Sequence, residues 1–447
     1  MAGRGSDGNR SAAVLDSAIG RGKGSVGDTS KQTKTPDERR RADSENCNQI
    51  KGGPSPRVDP PRDRSGRDRR MMSHESRVIE MVLDGKSSRV VLGPLAALEL
   101  SRFIPQPPPV YLVDEAVARL QPAWLEQLQA GCDPDRSGTL VLNGGEAVKQ
   151  LDRLADIYRW LAERGVTRDG TIVGIGGGAL LDVAGFAAAT WQRGVGWVSV
   201  PTTLLAMVDA AIGGKTAINA AGLKNQVGAF HPAAGVMVDC GFLISLPRAG
   251  WRDGLAEMIK TAVIGDPTLF GELEAARGRL YGLFGPDSGA EREAVPGVLG
   301  ALPWRLWVGR AAAVKAAVVS RDFHEHGPRR ALNLGHTLGH ALEAWRAGSP
   351  SPLTHGQAVS IGMAVVFRIA AGRGQCPLTL AVRVNELLEA CGLPTRCPAP
   401  PTAELERLLL ADKKRRGGRL RWVVPRGLQK FDLEGSVELD ELIRWLD

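Results

Sequence analysis

The sequence predicts an α/β protein in which a doubly wound parallel sheet is followed by a mainly α-helical second half. Three observations carry this. Between about residues 76 and 240, short β-branched runs alternate with helical stretches; beyond about 245, apolar residues recur at spacings of three and four; and a glycine cluster sits where one strand runs into a helix. The 447 residues are enough for two domains and a sizeable core.

In chain order, "SRVIEMVLDG", "SRVVLG", "PVYLVD", "GTLVLN", "GTIVGIGGG", "GVGWVSVP" and "GVMVDC" are expected to be strands. "LDRLADIYRWLAERG" is expected to be an amphipathic helix ended by Gly165. In the second half, "AEMIKTAVI", "GRAAAVKAAVVS", "GHTLGHALEAW", "GQAVSIGMAVVFRIA" and "LAVRVNELLEACG" follow the helical period, and only "GRLRWVVP" reads as a strand. Pro/Gly-rich breaks near 284–297 and 348–354 mark loops. The expected organisation is a disordered basic tail over 1–75, an α/β domain over 76–243 and a helical domain over 244–447.

Composition narrows the function classes. With 43% hydrophobic and 24% charged residues the chain reads as soluble, and no apolar run approaches the ~20 residues that span a bilayer. The net charge of +8 is local: residues 1–72 hold 16 Lys/Arg against 10 Asp/Glu, so +6 lies there and +2 in all the rest. No nucleic-acid partner is therefore expected of the folded part. The opening segment has almost no aromatic residues and cannot offset its ordering entropy by burial. It lacks a secretory h-region, and Met71 and Met72, just before the first strand, raise the possibility that translation starts there. The six cysteines are scattered without a CxxC pair, which fits a reducing cytoplasm.

In the first half, "TIVGIGGGALLDVAG" is a strand, a glycine turn and a helix start, the arrangement that brings backbone N–H groups against a pyrophosphate. Gly174, Gly176 and Ala179 fit GxGxxA, yet no acid occurs between Asp182 and Asp209, where a ribose-binding carboxylate would stand. The stretch reads as a non-standard dinucleotide site, with a plain tight turn as the alternative. "GGKT" at 213–216 is not a P-loop, because Asp209 occupies the position that needs glycine. Around it, Asp209, Lys215, Lys224 and Asn225 lie on a Gly-rich, poorly helical stretch among small apolar residues, which points to a cationic pocket for an anionic substrate.

In the second half, five of the seven histidines fall between 324 and 355. His336 and His340 share one helix face, and His355 opens a following helix. Catalytic zinc usually takes three N/O ligands and leaves one position open. Spacing favours His336, His340 and His355, while Glu257 in "GLAEMIK" could replace one of them, with Lys260 on its face. Spacing alone leaves the ligand set open.

Taken together, "GGEAVK", "GGGALLDVAGFAAATWQRGV", "VPTTLLAMVDAAIGGKTAIN", "KNQVGAFHP", "GLAEMIK", "NLGHTLGHALE", "HGQAVSIGM" and "DKK" resemble the 3-dehydroquinate synthases of the sugar-phosphate cyclase superfamily, in that family's order and from about residue 76 onward. The resemblance implies a Rossmann-like NAD-binding domain, an α-helical domain holding zinc or cobalt, and a cleft between them, in a cytoplasmic homodimer. It places the metal on Glu257, His336 and His355 and makes His340 catalytic together with Lys215, Lys260 and Asn333. Substrate contacts correspond to Arg193, Asp209, Lys215, Lys224, Asn225, Lys260, Lys315, Arg329, Asn333 and Lys413, with Arg193 reaching across the dimer. NAD contacts correspond to Asp114, Glu146, Lys149, Gly177, Gly178, Asp182, Thr202, Thr203, Lys215 and Lys224. The implied reaction belongs to the shikimate pathway. It turns 3-deoxy-D-arabino-heptulosonate 7-phosphate into 3-dehydroquinate and phosphate by transient oxidation, elimination, re-reduction and an intramolecular aldol closure. A related cyclase making 2-deoxy-scyllo-inosose or a valiolone is the alternative. Three departures from the family pattern stand out: Leu223 where glycine is usual, Gln357 where glutamate is usual, and "DFHEHG" in place of a more acidic stretch. Gln357 is expected to affect the surroundings of His355.

Overall fold

The computed structural model describes residues 77–94, 103–104, 108–129, 137–415 and 420–446, without the side chains of 127–129 and 411–415. The expected tail over 1–75, with Met71 and Met72, lies outside the described residues, as do Cys47, Cys132 and the side chain of Lys413.

Seven strands form one sheet: β1 (Arg77–Leu83), β2 (Lys86–Leu92), β3 (Val110–Asp114), β4 (Gly138–Leu142), β5 (Thr171–Gly176), β6 (Gly196–Pro201) and β9 (Gly235–Val238), in the order β1-β2-β9-β6-β5-β3-β4. β1 and β2 make an antiparallel hairpin, Arg77 opposite Leu92, turned by Asp84 and Gly85 at φ 52° and 74°. All other pairings are parallel. β5 is buried along its whole length, as a strand covered on both faces must be. From β3 the chain goes outward to β4, then returns to β5 on the other side of β3 and continues through β6 to β9. The connections thus reverse direction between β3 and β5, and at such a switch point the strands' carboxyl ends leave a crevice. Asp114 ends β3 and Gly176 ends β5, so this crevice lies beside the glycine cluster.

The helix expected at 151–165 spans Leu151–Glu163 (α1) and stops before Gly165 at φ 61°. The glycine cluster leads into Gly178–Thr190 (α2). One expectation changes. The Gly-rich stretch after Asp209 is an antiparallel hairpin, β7 (Lys215–Ala220) and β8 (Leu223–Phe230), with Lys215 opposite Phe230 and a turn at Ala221 and Gly222 at φ 52° and 72°. Near the C-terminus "GRLRWVVP" contributes β10 (Trp422–Gly427), and β11 (Lys430–Gly435), which the sequence reading did not anticipate, pairs with it.

From Arg248 onward the chain is helical apart from that pair. Two helices, Arg248–Gly265 (α3) and His355–Gly372 (α6), are buried over most of their length and form the centre of this half. Trp304–Arg321 (α4) and His336–Arg346 (α5) pack around them. α5 and α6 approach very closely at their glycines: a Cβ on Gly362 would stand 2.0 Å from the Gly335 carbonyl oxygen. That approach puts His336, one residue after Gly335, beside the first turn of α6, where His355 stands. No described helix is long and apolar enough to cross a membrane.

Candidate active site

Glu257, His336 and His355 come from α3, α5 and α6, and one donor atom from each lies within 4.8 Å of the others. His336 Nε2 is 3.5 Å and His355 Nε2 3.2 Å from Glu257 Oε1. The His336 ring also has Nδ1 3.2 Å from the Leu334 carbonyl, which can only accept, so Nδ1 carries the proton and Nε2 presents a lone pair. Burial and the Lys260 charge hold His336 well below its ordinary pKa, so it stays neutral. A neutral imidazole lone pair thus faces a buried carboxylate oxygen, two acceptors without a proton between them. A divalent cation resolves this, and the two-imidazole, one-carboxylate donor set suits zinc or cobalt. His355 lies between two acids, its Nδ1 3.6 Å from Glu343 Oε2. Burial opposes its charging, but the hydrogen bond to Glu257 and the adjacent Glu343 carboxylate outweigh burial and raise it to about 10.

His340 stands apart from this donor set. Its ring centroid is 5.3 Å from that of His336 and 6.3 Å from that of His355, and its side chain lines a cleft of about 550 Å³. Lys215, Glu325 and Asn333 line the same cleft, with Arg330, Arg421 and His324 around it.

The predicted cationic residues converge here, each beside an acid or a carbonyl. Lys260 and Glu257 form an ion pair whose side chains are 1% and 0% exposed. Lys315 pairs with Asp209. Burial would raise the Asp209 carboxyl, but Lys315 and Lys260 hold it far below the carboxylate range. Arg329 is buried and donates to the Phe323 carbonyl and, at 3.3 Å, to that of Gly213. Lys215 pairs with Glu325, which also accepts from Asn333. Lys224 reaches Glu343 at 2.5 Å. Such paired, pre-positioned cations are held ready for an anion without a large reorganisation.

The other predicted group gathers at the carboxyl ends of β3 and β5. Asp114 caps the helix that follows it by accepting from Ala116 N at 2.8 Å, and it lines a second cavity of about 440 Å³ with Arg119, Gly144 and Gly145. Glycines 144 and 176 pack tightly against Asp114: a Cβ would stand 2.3 Å from Asp114 Oδ2 and 3.1 Å from Asp114 Cβ, respectively. Gly177 and Gly178 begin α2, against Thr203 and Ala210, and Thr202 N donates to Gly176 O at 2.9 Å. Lys149 donates to Asp182 at 2.6 Å and also to Asn225. Glu146 accepts from Asn219 at 2.8 Å, and Asn219 in turn accepts from Asn225 N at 2.9 Å. Asn225 therefore sits against the predicted cofactor residues as well as near the substrate lysines. Burial pushes Asp182 up to about 6 against the pull of Lys149.

Arg193 is not brought to this cleft. It follows the far end of α2, whose 13 residues lead back about 20 Å to the amino ends of the strands, just before β6. There Gln192 and Arg193 adopt φ 49° and 65°, and Arg193 is exposed.

Two acids were missed by the sequence reading, Glu325 and Glu343. The signal for Glu343 was available, since it follows His336 by seven and His340 by three positions on one helix face. Gln357 corrects an expectation: its side chain accepts from Thr354 N at 3.0 Å and caps α6, while the carboxylate beside His355 Nδ1 is that of Glu343.

Comparison with known proteins matches the 3-dehydroquinate synthase N-terminal model over residues 139–253 and the C-terminal model over 254–415. The chain is 47% identical over 283 residues to the 3-dehydroquinate synthase of Thermobifida fusca, covering 63% of this chain and 71% of that protein. It is 41% identical over 333 residues to that of Xanthomonas oryzae pv. oryzae, covering 73% and 85%. Among solved structures it resembles the 2-epi-5-epi-valiolone synthase of Streptomyces hygroscopicus subsp. jinggangensis, which has NAD+ and Zn2+ bound (TM-score 0.69, 28% identity, 80% and 95% covered). A 2-deoxy-scyllo-inosose synthase complexed with carbaglucose-6-phosphate, NAD+ and Co2+ shares the fold (TM-score 0.65, 21% identity, 83% and 99% covered). By both halves of the family model and by these relatives, the chain belongs to the 3-dehydroquinate synthase family.

Proposed function

We propose that the chain is a phosphate-eliminating carbon–oxygen lyase that converts 3-deoxy-D-arabino-heptulosonate 7-phosphate to 3-dehydroquinate in the shikimate pathway, with NAD and a zinc or cobalt ion. The observation that carries the reading is the junction of the Glu257, His336 and His355 donor set with a cleft walled by Lys215, Asn333 and His340. When bound, the metal ion supplies Lewis acidity at a substrate hydroxyl and NAD a reversible hydride acceptor.

The remaining work falls to side chains of this chain. Lys215, Lys224, Lys260, Lys315 and Arg329 hold the carboxylate and phosphate ends of the substrate. Asn333 and Asp209 fix its hydroxyls by hydrogen bonds, with Lys413 as a further cation. His340, beside the donor set and facing the cleft, moves or holds a proton at the reacting carbons. Orientation in a closed cleft supplies much of the rate. NAD is held by Asp114, Glu146, Lys149, Asp182, Thr202 and Thr203, with its pyrophosphate on the Gly177–Gly178 turn.

Because Arg193 lies at the amino ends of the strands, away from its own cleft, we assign it to the phosphate of a second copy, in a homodimer. Residues 76–243 and 244–447 act as the NAD and the metal domain. Cys240, Cys376 and Cys391 are free thiols, which fits the proposed reducing cytoplasmic location.

The related cyclases of secondary metabolism are the second reading, favoured by the resemblance to the valiolone synthase. A dehydrogenase reading is tested by cofactor stoichiometry. With NAD far below substrate, the chain should release many phosphates per NAD and accumulate no NADH; one NADH per substrate would exclude the proposal.

A further inference from the structure

Glu343 joins two groups that the functional reading treats separately. One of its oxygens accepts from Lys224 Nζ at 2.5 Å, and the other stands 3.6 Å from His355 Nδ1. Lys224 belongs to β8, on the hairpin that also carries Lys215 and Asn225. His355 presents its other nitrogen to Glu257 at 3.2 Å, within the donor set. Glu343 itself lies on α5 two turns from His336, so a single helix supplies one ligand and the acid facing a second ligand.

A carboxylate behind a ligating histidine fixes the tautomer and the ring orientation, and it raises the basicity of the nitrogen that faces the metal. No other carboxylate is placed for this among the described residues. Asp253 Oδ1 accepts from Gly356 N at 2.9 Å and from the Thr354 hydroxyl at 2.5 Å, and Gln357 is turned to the Thr354 amide.

Resting on the metal site proposed above, we propose that Glu343 is a positioning residue that sets the His355 ring for cation binding and, through Lys224, ties the β7–β8 hairpin to the filled metal centre. The tie is reciprocal, as any coupling between two binding events must be. Filling the centre steadies the hairpin, and the hairpin in place strengthens the hold on the cation. An enzyme built this way holds its hairpin lysines and Asn225 more firmly when the metal is there.

The test uses the full chain stripped of metal, titrated with Co2+ against a competing chelator and followed by the visible cobalt absorption, without substrate. Glu343→Gln keeps the shape and removes the charge. It should weaken cobalt binding by roughly 10–100-fold and alter the cobalt spectrum. Amide hydrogen exchange is measured in parallel. Cobalt should slow exchange in residues 223–230 of the wild type, and this slowing should vanish in Glu343→Gln and in Lys224→Met, whose side chain is half exposed and whose loss the fold tolerates more easily. Wild-type cobalt affinity in Glu343→Gln, or cobalt-dependent protection that survives in Lys224→Met, overturns the proposal. Failure of the heptulosonate to turn over would leave this test standing, whereas a wild type that takes up no cobalt would sink the metal reading and this proposal together.

Discussion

His336 and His340 lie one turn apart on α5 with ring centroids 5.3 Å apart, yet within the candidate donor set it is His336 whose Nε2 stands 3.5 Å from Glu257. The pair is therefore unequal. His336→Ala should lose the metal, whereas His340→Ala should keep it and lose turnover by about 10²–10⁴-fold, the usual contribution of a general acid or base. Metal content and kcat measured on the same preparations decide this, and equal metal loss in both variants would restore the symmetric reading.

Asp209 and Lys315 form a buried pair, and removing one partner leaves the other uncompensated. Asp209→Asn should cost roughly 3–5 kcal/mol in denaturant unfolding at neutral pH. Because the folded-state pKa of Asp209 is depressed, its stabilisation is fully present above the unfolded value near 4 and is lost as pH falls toward the folded one. The stability gap between wild type and variant should thus narrow below about pH 4. A gap that stays constant through that range would contradict the assignment.

Asp182 shifts the other way. With its pKa pushed up to about 6, the charged pair with Lys149 exists above that pH and is dismantled below it. NAD should accordingly bind more weakly as pH falls through about 6, and Asp182→Asn should flatten the profile. The same shift makes ionising Asp182 costly to folding, so the cofactor-free protein should lose stability as pH rises from about 4 to about 6. Calorimetric titration with NAD across this window reads the first effect and denaturant midpoints the second.

Arg193 gives a subunit-mixing prediction. Arg193→Ala and Lys260→Met should each be nearly inactive. Refolded together at equal amounts they should regain about a quarter of wild-type activity, since half of the dimers are mixed and one of their two sites is intact. No recovery would place Arg193 outside the partner's site.

Residues 1–72 carry +6 of the net charge and lie outside both matched family models. A chain beginning at residue 73 should retain its turnover. Collapse of activity or solubility in that truncation would show that the segment contributes.

Much of this architecture could be read from the chain, because its signals are local. The β-branched runs gave the buried strands, and the three-and-four spacing around His336 and His340 gave α5. The β7–β8 hairpin escaped because Lys215–Phe230 is rich in Gly, Ala, Lys and Asn, residues with little intrinsic strand preference. Its pairing comes from the turn at Ala221 and Gly222 and from the register of Lys215 with Phe230. Glu343 escaped because a glutamate on a helix looks like a solvated residue until α6 brings His355 against it. Gln357 was misread for a related reason: its sequence position beside His355 says nothing of its direction, and the cap at Thr354 turns it away.

The most direct test of the account is a substrate panel. Purified protein with zinc and catalytic NAD is offered 3-deoxy-D-arabino-heptulosonate 7-phosphate, sedoheptulose 7-phosphate and a hexose 6-phosphate, and inorganic phosphate and the carbocyclic product are measured for each. Phosphate and 3-dehydroquinate are expected from the heptulosonate alone. Turnover of either sugar phosphate with none of the heptulosonate would contradict this.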